Sequence, residues 1–271
     1  MYRAFFALPK SIKGSDGQPV NALLGTANLI LREVEEYDPR AVVLAWGPDA
    51  AHYRVELYEP YHAERPPVPD ELSPQWADAP GFFDAFGWKS VISEDLEADD
   101  VMHSLVVAEE EAGGDALILT GDRDMYQCVT DHVRVLYMKT GSRGAEYVDV
   151  PEVKKRYGIP PELVPDFIAL RGDPSDGIPG AKGIGEKTAG ELLRKYGPLE
   201  EVMRAAVREE TTPKVRSALL EDTDLILGFK HIATVQIVKV KPPKDTPLDR
   251  ERAAAKATEL GMNALAKRLA G

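Results

Sequence analysis

Apolar residues recur every three or four positions across residues 21–37, with Leu23, Leu24, Ala27, Ile30, Leu31 and Val34 on one side. That period predicts an amphipathic helix. Pro39 stops it, and residues 41–46 (AVVLAW) read as a short buried strand. A second periodic segment over 73–86 predicts another helix, followed by a strand at 88–93. The cluster Glu97-Ala-Asp99-Asp100 opens a helix through Val101, Leu105, Val106 and Val107, which Gly113 and Gly114 end. Strands follow at 116–120 and 132–138. Strands and helices alternating at these lengths predict an α/β fold with a doubly wound, mainly parallel sheet. Beyond residue 150 the pattern turns helical, with segments at 151–157, 161–170, 186–196, 199–209, 215–232 and 250–269. A short valine-rich run at 235–240 interrupts them. The change divides the chain into an α/β core, residues 1–150, and a helical subdomain, residues 151–271, packed on the sheet.

At 271 residues the chain is long enough to bury a full core. Hydrophobic residues at 44% and charged residues at 29% describe an ordinary globular composition. No apolar run approaches the roughly 18 residues needed to span a bilayer, and no secretory leader is visible, so a cytoplasmic protein without membrane contact is expected. The single cysteine, Cys128, excludes internal disulfides and cysteine-built zinc sites, and its apolar surroundings predict an inert thiol. A net charge of −12 argues against a protein that coats nucleic acid non-specifically. It leaves room for local basic patches, because a cluster of metal-binding carboxylates would itself supply much of the excess.

Such clusters are present. In Ala116-Leu-Ile-Leu-Thr-Gly-Asp122-Arg-Asp124, a buried strand runs straight into two carboxylates spaced i, i+2. Glu97, Asp99 and Asp100 precede it, and Asp173 and Asp176 follow within Gly172-Asp-Pro-Ser-Asp-Gly177. Each has a bland explanation: acids favour the first turn of a helix, and aspartates favour turns. Together they are harder to dismiss, because acids at the ends of apolar strands repel each other unless something positive sits between them. Oxygen ligands in this arrangement suit a pair of divalent cations acting on a phosphate-bearing substrate. Ligands of doubly wound sheets gather at the carboxyl ends of strands, where Gly47, Asp122 and Asp124 fall.

The segment Gly177-Ile-Pro-Gly180-Ala-Lys-Gly183-Ile-Gly185-Glu-Lys187-Thr188 invites comparison with nucleotide loops but fails in detail. Glu186 stands where a P-loop needs lysine, and Thr188 where a dinucleotide fingerprint needs glycine. What remains is helix, Gly-rich turn, helix. Its backbone N–H groups, with Lys182 and Lys187, suit a sequence-independent grip on a nucleic-acid backbone.

These motifs, in this order, resemble the bacterial 5′ nuclease family, which includes the N-terminal nuclease domain of DNA polymerase I and, more distantly, flap endonucleases. The resemblance covers nearly the whole chain, from Tyr2-Arg-Ala-Phe through Tyr61-His-Ala-Glu-Arg65 to Gly183-Ile-Gly-Glu-Lys-Thr188. It implies a PIN-like fold whose helical subdomain carries a helix–three-turn–helix DNA-binding element. Glu97, Asp99, Asp100 and Asp122 would hold or surround one metal, and Asp124, Asp173 and Asp176 the second. The implied cofactors are two or three Mg2+ or Mn2+ ions, with K+ at the Gly-rich turn. Residues 50–70 would form part of a helical gateway for a single strand. Arg3 matches a phosphate-contacting arginine, which places it with Glu97, Asp100, Asp122 and Asp124 among the catalytic candidates. Tyr2, Arg3, Arg54, His62, Arg65, Lys182, Gly183, Gly185, Lys187 and Thr188 are the DNA-binding candidates.

The departures are specific. An apolar strand ending in Asp, which family members carry before the Tyr-Arg-Ala-Phe block, is absent, so Met1 is expected to be an internal methionine of a longer reading frame. Gly47 stands in place of a second carboxylate, and His62 in place of the gateway lysine. The expected activity is a monomeric, metal-dependent 5′-3′ exonuclease and flap endonuclease on DNA with 5′ ends or flaps. No polymerase domain follows within these residues, so it is expected to be free-standing. Two other classes stand beside it. One is a catalytically impaired DNA-junction-binding protein of the same fold. The other is a small-molecule phosphohydrolase, which would leave the Gly-rich turn without purpose.

Overall fold

The computed structural model describes residues 1–139 and 144–271. A short helix α1 (Tyr2–Ala7) leads to α2 (Asn21–Tyr37), whose Leu23, Ala27 and Leu31 are buried as the period predicts. Helix α1 was not legible in the sequence, because six residues show little period. It is held from outside: Asn21 donates its amide N–H to the carbonyls of Phe5 and Leu8 at 2.8 and 3.0 Å, satisfying groups that the helix end leaves open.

Strand β1 (Val43–Trp46) follows, then α3 (His52–Leu57), α4 (Ser73–Asp84), β2 (Lys89–Ile92), α5 (Ala98–Glu111), β3 (Ala116–Thr120), β4 (Val133–Met138) and β5 (Ala145–Val148). The mainly parallel sheet is present, in two pieces. β1 pairs in parallel with β2; β3 pairs in parallel with β4, and β5 joins β4 antiparallel. Helix α5 packs against both β1 and β3, so the pieces share one layer without bonding to each other.

The helical part comprises α6 (Val150–Tyr157), α7 (Val164–Arg171), α8 (Glu186–Tyr196), α9 (Leu199–Val207), α10 (Pro213–Glu221), α11 (Thr223–Ala233), α12 (Arg250–Glu259) and α13 (Asn263–Ala270). Two expected helices are each broken once. Asp222, at φ −136° and ψ 52°, separates α10 from α11, and Gly261, at φ 74°, separates α12 from α13. The valine-rich run forms no strand. Its backbone N–H groups go instead to side chains of α5: Gln236 donates to Asp100 Oδ1 at 2.8 Å and Val238 to Ser104 Oγ at 3.0 Å.

Two cores result. β3–β5 share one with α7–α11, through residues such as Ile118, Tyr126, Phe167 and Phe229. The last helices return to the other, where Ala253, Ala257, Leu265 and Leu269 pack against Leu23, Phe82 and Trp88 of the N-terminal half. Cys128 is buried, and burial pushes its thiol well above the usual value, as an inert cysteine requires. Among the described residues no helix is long and apolar enough to cross a membrane.

Candidate metal and nucleic-acid site

The strand β3 ends at Thr120, and the chain turns at Gly121. The Asp122 N–H donates to Thr120 Oγ1 at 3.1 Å, and one Asp122 oxygen then accepts the Asp124 N–H at 2.9 Å. The turn therefore uses part of Asp122 locally, and Asp124 opens a 3-10 turn to Cys128. Gln127 of that turn ties it to the end of α11, donating to the Ala233 carbonyl at 2.9 Å and accepting the Val235 N–H at 3.0 Å.

Opposite stands the first turn of α5. Glu97 is its N-cap and forms a capping box with Asp100, so the helix-start explanation holds for this pair. Asp100 is fully buried and its lone pairs are taken. Arg54 donates to both oxygens at 2.8 and 2.7 Å, the Gln236 N–H to one and the Glu97 N–H to the other. Asp100, expected as a metal ligand, here has both oxygens engaged by these donors. Glu97 accepts from the Ala51 N–H at 2.7 Å and from Tyr61 Oη at 3.1 Å, and pairs with Arg54 at 3.1 Å. Arg54, expected on DNA, is instead buried at 3% exposure and used up between these acids and the Ile232 carbonyl. A buried guanidinium that fully matches two carboxylates is a structural tie.

The third wall is the turn after α7. Gly172, at φ 85°, and Gly180, at φ 69°, cross so closely that a Cβ on either would lie within 2.6 Å of the other strand of the turn. An Asp173–Ile178 bridge closes the loop between them. Asp173 pairs with Arg171 at 3.0 Å and accepts from the Ser175 N–H at 2.8 Å, leaving it partly committed. Asp176 is held by Arg65 at 2.8 Å and faces His62 Nε2 at 3.3 Å. His62 also contacts the Asp49 carbonyl through Nδ1 at 2.6 Å and stacks on Tyr61 with ring centroids 3.7 Å apart. Buried in this way, His62 is no free gateway cation; with Arg65 it positions Asp176.

The electrostatics separate the carboxylates sharply. Asp99, Asp122, Asp124 and Asp176, with Glu97, line a cleft of about 90 Å³. Burial, then the charges of Asp122 and Glu97, push Asp99 up to about 8. Burial and the charges of Asp122, Asp176 and Asp173 raise Asp124 well above the carboxylate range, and burial raises Asp122. Burial would also raise Asp176, but hydrogen bonds and charge from His62 and Arg65 outweigh it and hold that carboxyl low. Among the described residues no arginine, lysine or histidine forms an ion pair with Asp99, Asp122 or Asp124. Nor do three His, Cys, Asp or Glu side chains there converge on a single point as a closed metal cage. Unneutralised, like charges hold the acids apart, and an all-oxygen acidic donor set of this kind fits a hard divalent cation.

Gly47, in the place where a carboxylate was sought, packs against the start of α5. A Cβ there would lie 2.2 Å from the Leu96 carbonyl oxygen. Only glycine lets β1 end this close to the helix, so an acid at 47 would need the α5 turn to move. Arg3 donates to the carbonyls of Gly121 and Met138, clamping α1 onto the carboxyl ends of β3 and β4 beside Asp122. Tyr2 is 41% exposed on the same helix.

The Gly-rich turn lies between α7 and α8. Gly185 is the N-cap of α8 and no side chain caps that end, so its first N–H groups are open to a ligand. Lys182, Gly183, Gly185 and Lys187 are exposed, with Thr188 half-buried on the first turn of α8. Sequence reasoning missed Lys214, whose side chain lies beside Gly183 from the start of α10. It also missed Tyr61 as a ligand of Glu97. Neither carries a local signal, since both come from other elements.

Most of the chain is similar to known proteins. Residues 1–158 match the 5′-3′ exonuclease, N-terminal resolvase-like domain, and residues 159–253 the 5′-3′ exonuclease, C-terminal SAM fold. The chain is 36% identical to a 5′-3′ exonuclease of Mycobacterium tuberculosis, over 99% of this chain and 93% of that protein. It is 38% identical to the thermostable DNA polymerase I of Thermus thermophilus over 96% of this chain, and spans only 31% of that polymerase. The chain thus covers about a third of the polymerase relatives. Among solved structures, the bacteriophage T5 D15 flap endonuclease, in a pseudo-enzyme-product complex with DNA and metal ions, superposes with a TM-score of 0.70. It covers 99% of this chain and 94% of that one at 15% identity, a likeness of fold.

Proposed function

The chain belongs to the 5′-3′ exonuclease family, and from that premise we propose that it is a divalent-metal-dependent 5′-3′ exonuclease and flap endonuclease that hydrolyses DNA phosphodiesters. One observation carries the reading: Asp99 on the first turn of α5 and Asp122 and Asp124 after β3 lie half-buried, without an ion pair among the described residues, in one cleft with Asp176. These four, with Asp173 beside them, would hold the metal, and magnesium or manganese in two sites suits their oxygen donors. When bound, such ions lower the pKa of a water and stabilise charge on the scissile phosphate and the leaving oxygen.

The chain's own groups do the rest. Arg54, Tyr61 and the Ala51 N–H fix Glu97 and Asp100, and so set the angle at which α5 presents Asp99. His62 and Arg65 keep Asp176 ionised. Arg3, which donates to the carbonyl of Gly121 next to Asp122, would meet a phosphate on that side of the cleft, and Tyr2 offers a ring for a terminal base. The open N-terminus of α8, with Lys182, Lys187 and Lys214, would grip the backbone of duplex DNA. The relatives that match are named as exonucleases and polymerases, so the catalytically impaired reading has no support. On the same reading the enzyme acts as a cytoplasmic monomer on 5′ ends or flaps. Residues 1–150 would supply the nuclease core and 151–271 the helical DNA-binding part. A potassium ion at the Gly183–Gly185 turn would show as DNA affinity that depends on K+ and not on Na+.

The test is a magnesium and manganese titration on a 5′-flap substrate, with the Asp124→Ala, Asp176→Ala double variant in parallel. Cleavage that needs the metal and vanishes in the variant, while DNA affinity changes less than about threefold, is the expected result. Cleavage retained in the variant would overturn the assigned site.

A further inference from the structure

The cleft that collects Asp99, Asp122, Asp124 and Asp176 is also lined by Ile232, Ala233 and Val235, at and just beyond the end of α11. A helix leaves its last carbonyls without partners of its own. Thr234 closes the first of these here, its N–H donating to the Lys230 carbonyl at 2.9 Å. Other elements reach in for the next ones. Arg54 of α3 donates to the Ile232 carbonyl at 2.9 Å, and Gln127 donates to the Ala233 carbonyl at 2.9 Å. The N–H groups that follow also go to side chains of other elements. Val235 donates to Gln127 Oε1 at 3.0 Å, Gln236 to Asp100 Oδ1 at 2.8 Å and Val238 to Ser104 Oγ at 3.0 Å.

These bonds reach both elements that carry the unmatched acids. Asp100 and Ser104 belong to α5, whose first turn presents Asp99. Gln127 belongs to the 3-10 turn that Asp124 opens, and its Nε2 also donates to the Asp124 carbonyl at 2.9 Å. One amide thus holds the backbone of Asp124, the last carbonyl of α11 and the Val235 N–H, using its oxygen and both of its donors. The other end of the connection is fixed as well, because Arg54 locks Asp100 through both oxygens. Between these two ends lie acids that repel each other across the cleft. Their spacing therefore has to be held by the backbone that carries them.

We propose that residues 232–238 form a bridge that sets the spacing of Asp99 and Asp124 for the metal, with Gln127 as the positioning residue at its Asp124 end. The inference rests on the metal-dependent reading of the cleft. Gln127 needs no contact with substrate or ion; it acts by holding the Asp124 backbone against the end of α11. Groups that orient metal ligands in this way are worth about 10- to 100-fold in metal affinity or activity. Methionine at 127 keeps the length of the side chain and removes all three bonds. Asparagine keeps the amide but is one methylene too short to span the same partners.

The experiment uses the full chain with Mn2+ as the probe. Gln127→Met is expected to weaken Mn2+ binding by about 10- to 100-fold in a calorimetric titration without DNA. It should lower kcat on a 5′ flap by a similar factor while KM for the flap moves less than about threefold. In the metal-free protein, hydrogen exchange at the Val235 amide should quicken by at least about tenfold. Gln127→Asn should shift all three readings in the same direction, and it gives the answer if the methionine variant does not fold. Leu269→Ala, buried in the other core, lowers stability without touching the bridge. It should leave Mn2+ affinity and kcat within about twofold of the parent chain. Unchanged Mn2+ affinity and kcat in a folded Gln127 variant would overturn the proposal. So would an equal loss in Leu269→Ala, which would assign the effect to stability alone. A parent chain that binds no Mn2+ would overturn the assigned site and this bridge together, so the two failures are told apart.

Discussion

Asp99 and Asp100 are neighbours on the first turn of α5, yet they sit in opposite electrostatic worlds. Asp100 is sealed between Arg54, two backbone N–H groups and the apolar end of α11. Asp99 faces Asp122 across the cleft with no cation of its own, and its carboxyl is pushed up to about 8. The same division runs through the whole site. Asp100 and Asp176 are matched by arginines, Asp100 within the scaffold and Asp176 at the cleft; Asp99, Asp122 and Asp124 are not, and their repulsion is the force a cation would relieve.

The largest effect should come from removing one of the unmatched group. Asp99→Asn is expected to lower cleavage of a 5′ flap by at least about a thousandfold, a loss on the scale of a few kcal/mol of transition-state stabilisation. It should raise the melting temperature of the metal-free protein, because one repelling charge is gone. A fall in both would place Asp99 with the scaffold.

Asp100→Asn should do the reverse. It leaves Arg54 buried with half its partner, at a cost of about 3–5 kcal/mol of stability, readable as a lower urea midpoint. Cleavage should fall only as far as folding does. A stable Asp100→Asn protein with wild-type metal affinity but no activity would break the comparison.

A smaller effect should appear in the pH dependence of the metal-free chain. Asp99 is raised in the folded state, to about 8 from the usual value near 4, so the native protein binds more protons than the unfolded chain across that interval. Its contribution to stability is present below the unfolded value and is lost as pH rises towards 8. Melting temperature should therefore fall from pH 5 to pH 8, and millimolar Mn2+ should restore it at pH 8 more than at pH 5. Asp99→Asn should flatten the slope.

The smallest effect belongs to the Gly-rich turn, away from the cleft. Lys182→Ala with Lys187→Ala should weaken duplex DNA binding and reduce the salt slope of affinity by about one or two phosphate contacts, with turnover at saturating DNA unchanged. An unchanged salt slope would take the turn out of the DNA interface.

Much of this was legible in the chain itself. The apolar periods locate α2, β3 and α8 to the residue, because burial against one neighbour imposes a period that local sequence must obey. The acidic clusters were visible because charges at the ends of buried strands need a reason. Composition and motif order together carried the family. Less legible were short or broken elements: α1, capped by Asn21 from the next helix, and the split at Asp222, which no period announces.

What tertiary structure alone decided was the division of labour among like residues. Successive positions on a helix turn point about 100° apart, so Asp99 and Asp100 had to differ, but which of them met a guanidinium depended on Arg54 from a different helix. The burial of Arg54 and His62, the close packing that demands glycine at 47, and the return of α12 and α13 to the N-terminal core are long-range contacts of the same sort. Local sequence determines period, turn and charge, because these act between near neighbours. Which charge is matched depends on groups brought together only when the chain has folded.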